Sequence, residues 1–123
     1  MKVSSISLPT SNMIEDNKNV VITGWGEIGT SPGLPRQLQF LNSKIYNHEL
    51  CEQIFSQIET QFCTFADMGK GTCHGDAGGP VVIGEYQVGL VSSGTEECAI
   101  GIPDVNTNVF IFIDWINYIM YYN

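Results

Sequence analysis

The densest chemistry in the chain lies in Gly71-Thr72-Cys73-His74-Gly75-Asp76-Ala77-Gly78-Gly79-Pro80-Val81-Val82. A thiol, an imidazole and a carboxylate fall at Cys73, His74 and Asp76, between glycines that let backbone approach a ligand closely. Taken alone, the stretch reads as a Gly-rich turn entering a strand. His74 with Asp76 offers two metal ligands, fewer than a closed site needs, so no metal is expected. The chain has four cysteines, Cys51, Cys63, Cys73 and Cys98, with no Cys-x-x-Cys pair, so neither a zinc site nor a thioredoxin-type redox pair is indicated. An even set of this kind reads as a disulfide framework, which belongs outside the cytosol. Four cysteines allow three pairings, and spacing alone does not choose among them.

The elements that position these residues are mostly short strands. The 13 glycines sit between β-branched runs, the pattern of strands joined by tight turns. Strands are expected at Val20–Trp25, Gln37–Tyr46, Gln61–Phe65, Pro80–Ile83, Tyr86–Ser92 and Asp104–Val109. The second of these reads as half-buried through Leu38, Phe40 and, after a break, Ile45. The stretch from Gly29 to Pro35 is an exposed loop. Asn47 caps a helix carrying Leu50, Ile54 and Ile58, with Glu49 and Glu52 near its positive end. Asp114 opens a terminal helix in which Trp115, Ile119 and Tyr122 recur at helical spacing. Short strands with two peripheral helices make an all-β barrel the expected architecture.

At 123 residues the chain is one small domain or a piece of a larger one. Its 43% apolar and 15% charged residues suit a packed core and exclude a disordered chain. Five basic against thirteen acidic residues give a net charge of −8, a field that repels phosphate backbones and anionic lipid. Neither nucleic acid nor membrane is an expected partner. The most apolar segment, Val109 to Tyr122, is shorter than a bilayer span and is interrupted by Asp114 and Asn117. Met1 to Pro9 lacks the continuous apolar region and cleavage site of a signal peptide. A disulfide-like cysteine set without an export signal leads to the expectation that the chain is incomplete.

Gly75-Asp76-Ala77-Gly78-Gly79-Pro80, just after Cys73, resembles the nucleophile loop of trypsin- and chymotrypsin-like serine proteases, with Ala77 where that family has serine. Thr23-Gly24-Trp25-Gly26 upstream, Val91-Ser92-Ser93-Gly94 and Cys98 downstream, then Ile102-Pro103-Asp104-Val105 and the terminal helix, keep the family order. The resemblance covers essentially the whole chain but only the C-terminal half of the family's two-barrel catalytic domain. It implies a connecting segment over 1–19, the second antiparallel β-barrel over 20–109 and a terminal helix over 110–123, with a short intermediate helix. The family triad runs His, Asp, Ser in chain order, so its first two members would precede Met1. His48 falls on a helical surface segment and His74 within the loop, and neither matches the general base. Alanine at position 77 has nothing to deprotonate, so no acyl-enzyme forms there by the family route.

The resemblance further implies an oxyanion hole from the backbone N–H groups of Gly75 and Ala77. It implies a specificity pocket walled by Gly71, Thr72, Cys73, Ser92, Ser93 and Gly94. Gly71 stands where trypsin-like members place an acid, while Asp104 replaces a small residue on the facing wall. An acid reaching the pocket base from that side favours Lys, Arg or a polar side chain, as in some arthropod collagenolytic members; the alternative is a solvated loop Asp. Ser93, where an aromatic is usual, narrows the platform for a substrate backbone. The implied disulfides are Cys51–Cys63 and Cys73–Cys98. Val20 and Ile83 take the positions of a further family bridge, exchanged as a pair for packing.

Asp76 matches the carboxylate that pairs with a new N-terminus on activation. Without that ammonium it needs solvent, a proton, or a donor such as His74 or Lys70, in a zymogen-like, mobile loop. No cofactor is implied. The expected function is a non-catalytic serine protease homologue in the extracellular space, binding a peptide or a protein: a protease, an inhibitor or the missing N-terminal barrel. The alternative is a fragment of a secreted serine endopeptidase. A truncated product without a stable role is a third reading.

Overall fold

A computed structural model describes residues 3–26, 36–56, 59–66, 71–73, 76–93, 98 and 101–122. Six strands close into an antiparallel barrel in the order β1-β2-β3-β6-β5-β4. They are β1 (Asn19–Gly24), β2 (Gln39–Ile45), β3 (Gln61–Phe65), β4 (Pro80–Ile83), β5 (Tyr86–Ser93) and β6 (Asp104–Asn108). Helix α1 (His48–Ile54) follows β2. A 3-10 turn over Val109–Phe112 leads into α2 (Ile113–Tyr122).

Strand alternation sends Val20 and Ile22 of β1 inward, where they meet Ile45, Phe62, Val81, Val88 and Val91 in one apolar cluster. Ile83 packs on the same cluster as Val20, so the two positions expected to exchange a bridge for packing do share a core. The segment ahead of β1 is tied to the barrel. Ser7 bridges to Tyr86, Met13 and Ile14 cover the core, and Asp16 accepts from the His48 N–H at 3.2 Å.

A second cluster lies outside the barrel wall, where Cys51 and Cys63 pack with Val105, Tyr46 and Phe55. Here the Cys51–Cys63 disulfide fastens α1 to β3. Asn47 caps α1, its side chain accepting from the Leu50 N–H at 3.0 Å.

Two expected faces are corrected. On β2 the inward residues are Leu41, Ser43 and Ile45, whereas Leu38 and Phe40 are 51% and 69% exposed. The apolar residues before and after the break are out of phase, and the pairing of Thr23 with Phe40 and Ile22 with Leu41 sets which set faces inward. On α1 the buried residue is Cys51, while Leu50 and Ile54 are about half exposed; the disulfide, and not the apolar stripe, orients this seven-residue helix. Ile58 and the 29–35 loop lie outside the described residues. Strand limits differ from expectation by one or two residues at β1, β2, β5 and β6 and agree at β3 and β4. Helix α2 forms as expected but buries none of its residues, and Trp115, Tyr118, Met120, Tyr121 and Tyr122 stand exposed.

Candidate functional site

Two carboxylates organise the loops at one end of the barrel. The first, Asp76, precedes a tight turn over Asp76-Ala77-Gly78-Gly79 closed by the Gly79 N–H donating to the Asp76 carbonyl at 3.0 Å. Gly78 takes φ +85, the conformation a type II turn needs at its third position. Gly78 N–H donates to the Val91 carbonyl at 2.8 Å and Val91 N–H to the Gly79 carbonyl at 2.9 Å, so the turn is clamped on β5. Ala77 and Gly78 are the residues the turn presents to solvent.

The Asp76 carboxylate accepts from the Gly26 N–H at 2.9 Å through Oδ1 and from the Cys73 N–H at 2.8 Å through Oδ2. Among the described residues its donors are these backbone N–H groups; His74 and Lys70, the side-chain donors expected from sequence, lie outside the described residues. The carboxylate fits only because its neighbours lack side chains. A Cβ on Gly26 would come 2.6 Å from Oδ1, and one on Gly24 would overlap the same oxygen. Sequence reasoning treated Gly24 and Gly26 as family markers and missed this role. The signal was the pair of glycines flanking Trp25 in a strand end, where close backbone approach is a standard reason for glycine.

The second carboxylate, Asp104, opens β6 and is 9% exposed. Its Oδ2 accepts from the Thr72 N–H at 2.8 Å. Burial raises its pKa above the ordinary carboxylate value; the backbone and hydroxyl hydrogen bonds of Thr72 pull it down, and the nearby Asp76 charge pushes it up. A Cβ on Gly71 would lie 2.9 Å from Asp104 Oδ2, so the acid stands against the Gly71 backbone. Asp104 is thus a buried residue hydrogen-bonded to the 71–73 loop, and not a solvated loop Asp. The Cys73–Cys98 disulfide, with its Cα atoms 5.4 Å apart, fastens the same loop to the segment after β5.

The structure therefore brings together Gly71, Thr72, Cys73, Asp76, Asp104 and Cys98. Ser92 is exposed on β5 and Ser93 ends that strand, paired with Val105. Gly75 and Gly94, expected in the oxyanion hole and pocket wall, lie outside the described residues. His48 is a surface residue paired with Glu52 at 3.0 Å, away from this end. Among the described residues no three His, Cys, Asp or Glu side chains gather as a metal site, and no helix is long and apolar enough to cross a membrane. A separate open groove of about 330 Å³, flanked by Lys44, Tyr46 and Phe65, contains none of the expected site residues. The arrangement supplies a buried acceptor beside the Gly71 backbone, and at the exposed turn the methyl group of Ala77.

Comparison with known proteins agrees with this geometry. Chymotrypsin-2 of Vespa crabro is 42% identical over 115 residues, covering 93% of this chain and 52% of that protein. Hypodermin-B of Hypoderma lineatum is 42% identical over 108 residues, covering 82% of this chain and 41% of its own length. Among solved structures, neuropsin, a serine protease expressed in the limbic system of mouse brain, superposes with a TM-score of 0.87 at 28% identity, over 96% of this chain and 54% of that one. The chain spans about half the length of these relatives. The trypsin family model matches residues 1–116, and with the barrel, the nucleophile-loop turn and both disulfides in place the chain belongs to the trypsin-like serine protease family.

Proposed function

We propose that this chain is a non-catalytic serine protease homologue that binds peptide or protein through its pocket, in an oxidising compartment outside the cytosol. The observation that carries the reading is Ala77. It sits at the apex of a turn held by Asp76, Gly78 and Gly79 as an active loop would be, yet offers no atom to attack a carbonyl. The 123 residues hold no histidine at a position matching the family's general base. Binding needs neither group. The pocket assigned to Gly71, Thr72, Ser92, Ser93, Gly94 and Asp104 has its acid at the base, suited to a Lys, Arg or polar side chain. By the family resemblance the backbone N–H groups of Gly75 and Ala77 are the candidates for an oxyanion hole, which on this reading does no chemistry. The two disulfides support an extracellular setting.

One further observation favours the alternative, that the chain works as the C-terminal half of a longer endopeptidase. It exposes 8497 Å², against roughly 6600 Å² for a folded monomer of its mass. Large apolar groups are among what it exposes: Trp25, Leu38 and Phe40 near the β1–β2 ladder, and the aromatic residues of α2. A second barrel, carrying residues 1–19 as its connection, is the cover this reading assigns.

The test is an intact-mass measurement of the chain after exposure to a fluorophosphonate probe, with a Lys-containing peptide titrated in parallel. The expected result is no covalent adduct with saturable peptide binding. A stoichiometric adduct or peptide cleavage by the 123-residue chain overturns the non-catalytic reading.

A further inference from the structure

Asn106 is fully buried on β6, two residues beyond Asp104 and on the same inward face. Across the ladder, Thr64 of β3 opposes Asp104, and Phe62 opposes Asn106. Asn106 Nδ2 donates to the Thr64 hydroxyl at 3.0 Å and to the Phe62 carbonyl at 3.4 Å. A carbonyl only accepts, so the nitrogen belongs on the β3 side and the amide cannot be turned over. Its Oδ1 therefore faces away from β3, buried and without a hydrogen-bond partner. A buried acceptor left unmatched is costly. In a barrel whose core cluster is valine, isoleucine and phenylalanine, that acceptor belongs to a residue on the same face of β6 as the acid, two positions along the strand.

We infer that Asn106 is a second specificity-determining residue of the pocket, its Oδ1 acting with the Asp104 carboxylate to bind a primary ammonium, the head group of a lysine side chain, in preference to a guanidinium. This rests on the proposed pocket reading. An ammonium carries three donors on one atom and is served by separate acceptors, whereas a guanidinium is best served by both oxygens of one carboxylate in a fork. Asp104 Oδ2 already accepts from the Thr72 N–H, which takes one of the acceptor positions on that oxygen and favours the single-atom ammonium over the two-pronged fork. Asp104 supplies the charge, and Asn106 a neutral acceptor that costs less to bury than a second carboxylate.

The experiment is an NMR titration of the isotopically labelled 123-residue chain with butylammonium, butylguanidinium and butyltrimethylammonium, on wild type, Asp104→Asn and Asn106→Leu. The wild type is expected to bind butylammonium about tenfold more tightly than the other two cations. The Thr72 amide and the Asn106 side-chain carbonyl carbon should shift together. D104N is expected to abolish binding, and N106L to weaken butylammonium about tenfold while leaving butyltrimethylammonium unchanged. Loss in D104N with unchanged butylammonium affinity in N106L overturns the role of Asn106 and keeps the pocket. No saturable binding by wild type, or binding indifferent to D104N, overturns the pocket reading and the inference with it. If N106L does not fold, the wild-type Asn106 carbonyl resonance decides: one that does not move at saturation means that Oδ1 holds a trapped water only, and the inference fails.

Discussion

Replacing Gly26 with alanine in this protein should be costly only while Asp76 is present. Gly26 has no positive φ, so alanine is conformationally acceptable there. The whole penalty comes from a Cβ placed 2.6 Å from Asp76 Oδ1, a separation that forces the carboxylate off its seat. Displacement breaks the bonds from the Gly26 and Cys73 N–H groups at 2.9 and 2.8 Å. Hydrogen bonds to a charged acceptor contribute about 1.5–3 kcal/mol each, and partial exposure of the site puts the loss at the low end. Gly26→Ala and Asp76→Ala should each destabilise the fold by about 2–4 kcal/mol, a large share of a typical total of about 5–15 kcal/mol.

In the double variant the new Cβ meets no carboxylate, so the second substitution adds little and the coupling energy is about 2–3 kcal/mol. Urea unfolding followed by tryptophan emission is the assay. With Trp115→Phe as background the signal comes from Trp25, which sits between the two glycines. Glu85→Gln, on an exposed turn, serves as control and should stay within about 0.5 kcal/mol. Additive single effects, or an Asp76→Ala variant as stable as the control, would refute the reasoning.

Gly71→Ala brings a Cβ to 2.9 Å from Asp104 Oδ2 and should cost about 1–2 kcal/mol, a loss that disappears in an Asp104→Ala background, as urea midpoints would register. Asp104 has a raised folded pKa, so the folded chain binds its proton more tightly than the unfolded one. Its stabilising contribution is complete below the ordinary value of 3.8 and is lost as pH rises through the folded value. Asp104→Asn keeps an acceptor for Thr72 and should therefore unfold at higher urea than wild type at pH 7 and at the same urea near pH 3; equal midpoints at both pH values would contradict the burial argument. Ala77→Ser puts a hydroxyl at the turn apex and, on the non-catalytic reading, should give no fluorophosphonate adduct above background by intact mass, with unchanged stability.

How far the sequence could be read differs by the range of the interaction. The strands at Gln61–Phe65 and Pro80–Ile83 are legible to the residue, because each run is bounded by turn-forming or polar neighbours. Phase is less legible. Leu38 and Phe40 are as apolar as Leu41 and Ile45, and only the pairing with β1 decides which set faces the core. The helix over Asn47 to Ile54 is announced by its cap, yet its buried side is chosen by a disulfide to a residue 12 positions away. At the site, the residue types mark the loop and Asp104 as notable. The partners of Asp76 remain hidden, because they are backbone N–H groups and one is 50 residues distant. Asn106 gives no signal either: an asparagine in a short strand is unremarkable until the register sets it against Phe62.

The two carboxylates, which accept from the adjacent Thr72 and Cys73 N–H groups of one loop, carry opposite burdens, and this difference bears on function. Asp76 is matched by two backbone donors and serves the fold, holding the turn on which Ala77 stands. Asp104 is more buried, accepts from Thr72, and ionises at a net cost to the folded chain. Asparagine at 104 would accept from the same N–H without that cost, so folding alone gives no reason for an acid there. A cationic group entering beside Gly71 would offset the cost directly, by supplying the charge that burial withholds. The same holds for the orphaned Oδ1 of Asn106, which costs stability in the empty fold and is satisfied by a donor arriving from outside. Two unfavourable groups on one face of one strand, both relieved by one ligand with a positive charge and several N–H donors, are a physical argument for binding that does not depend on the missing nucleophile.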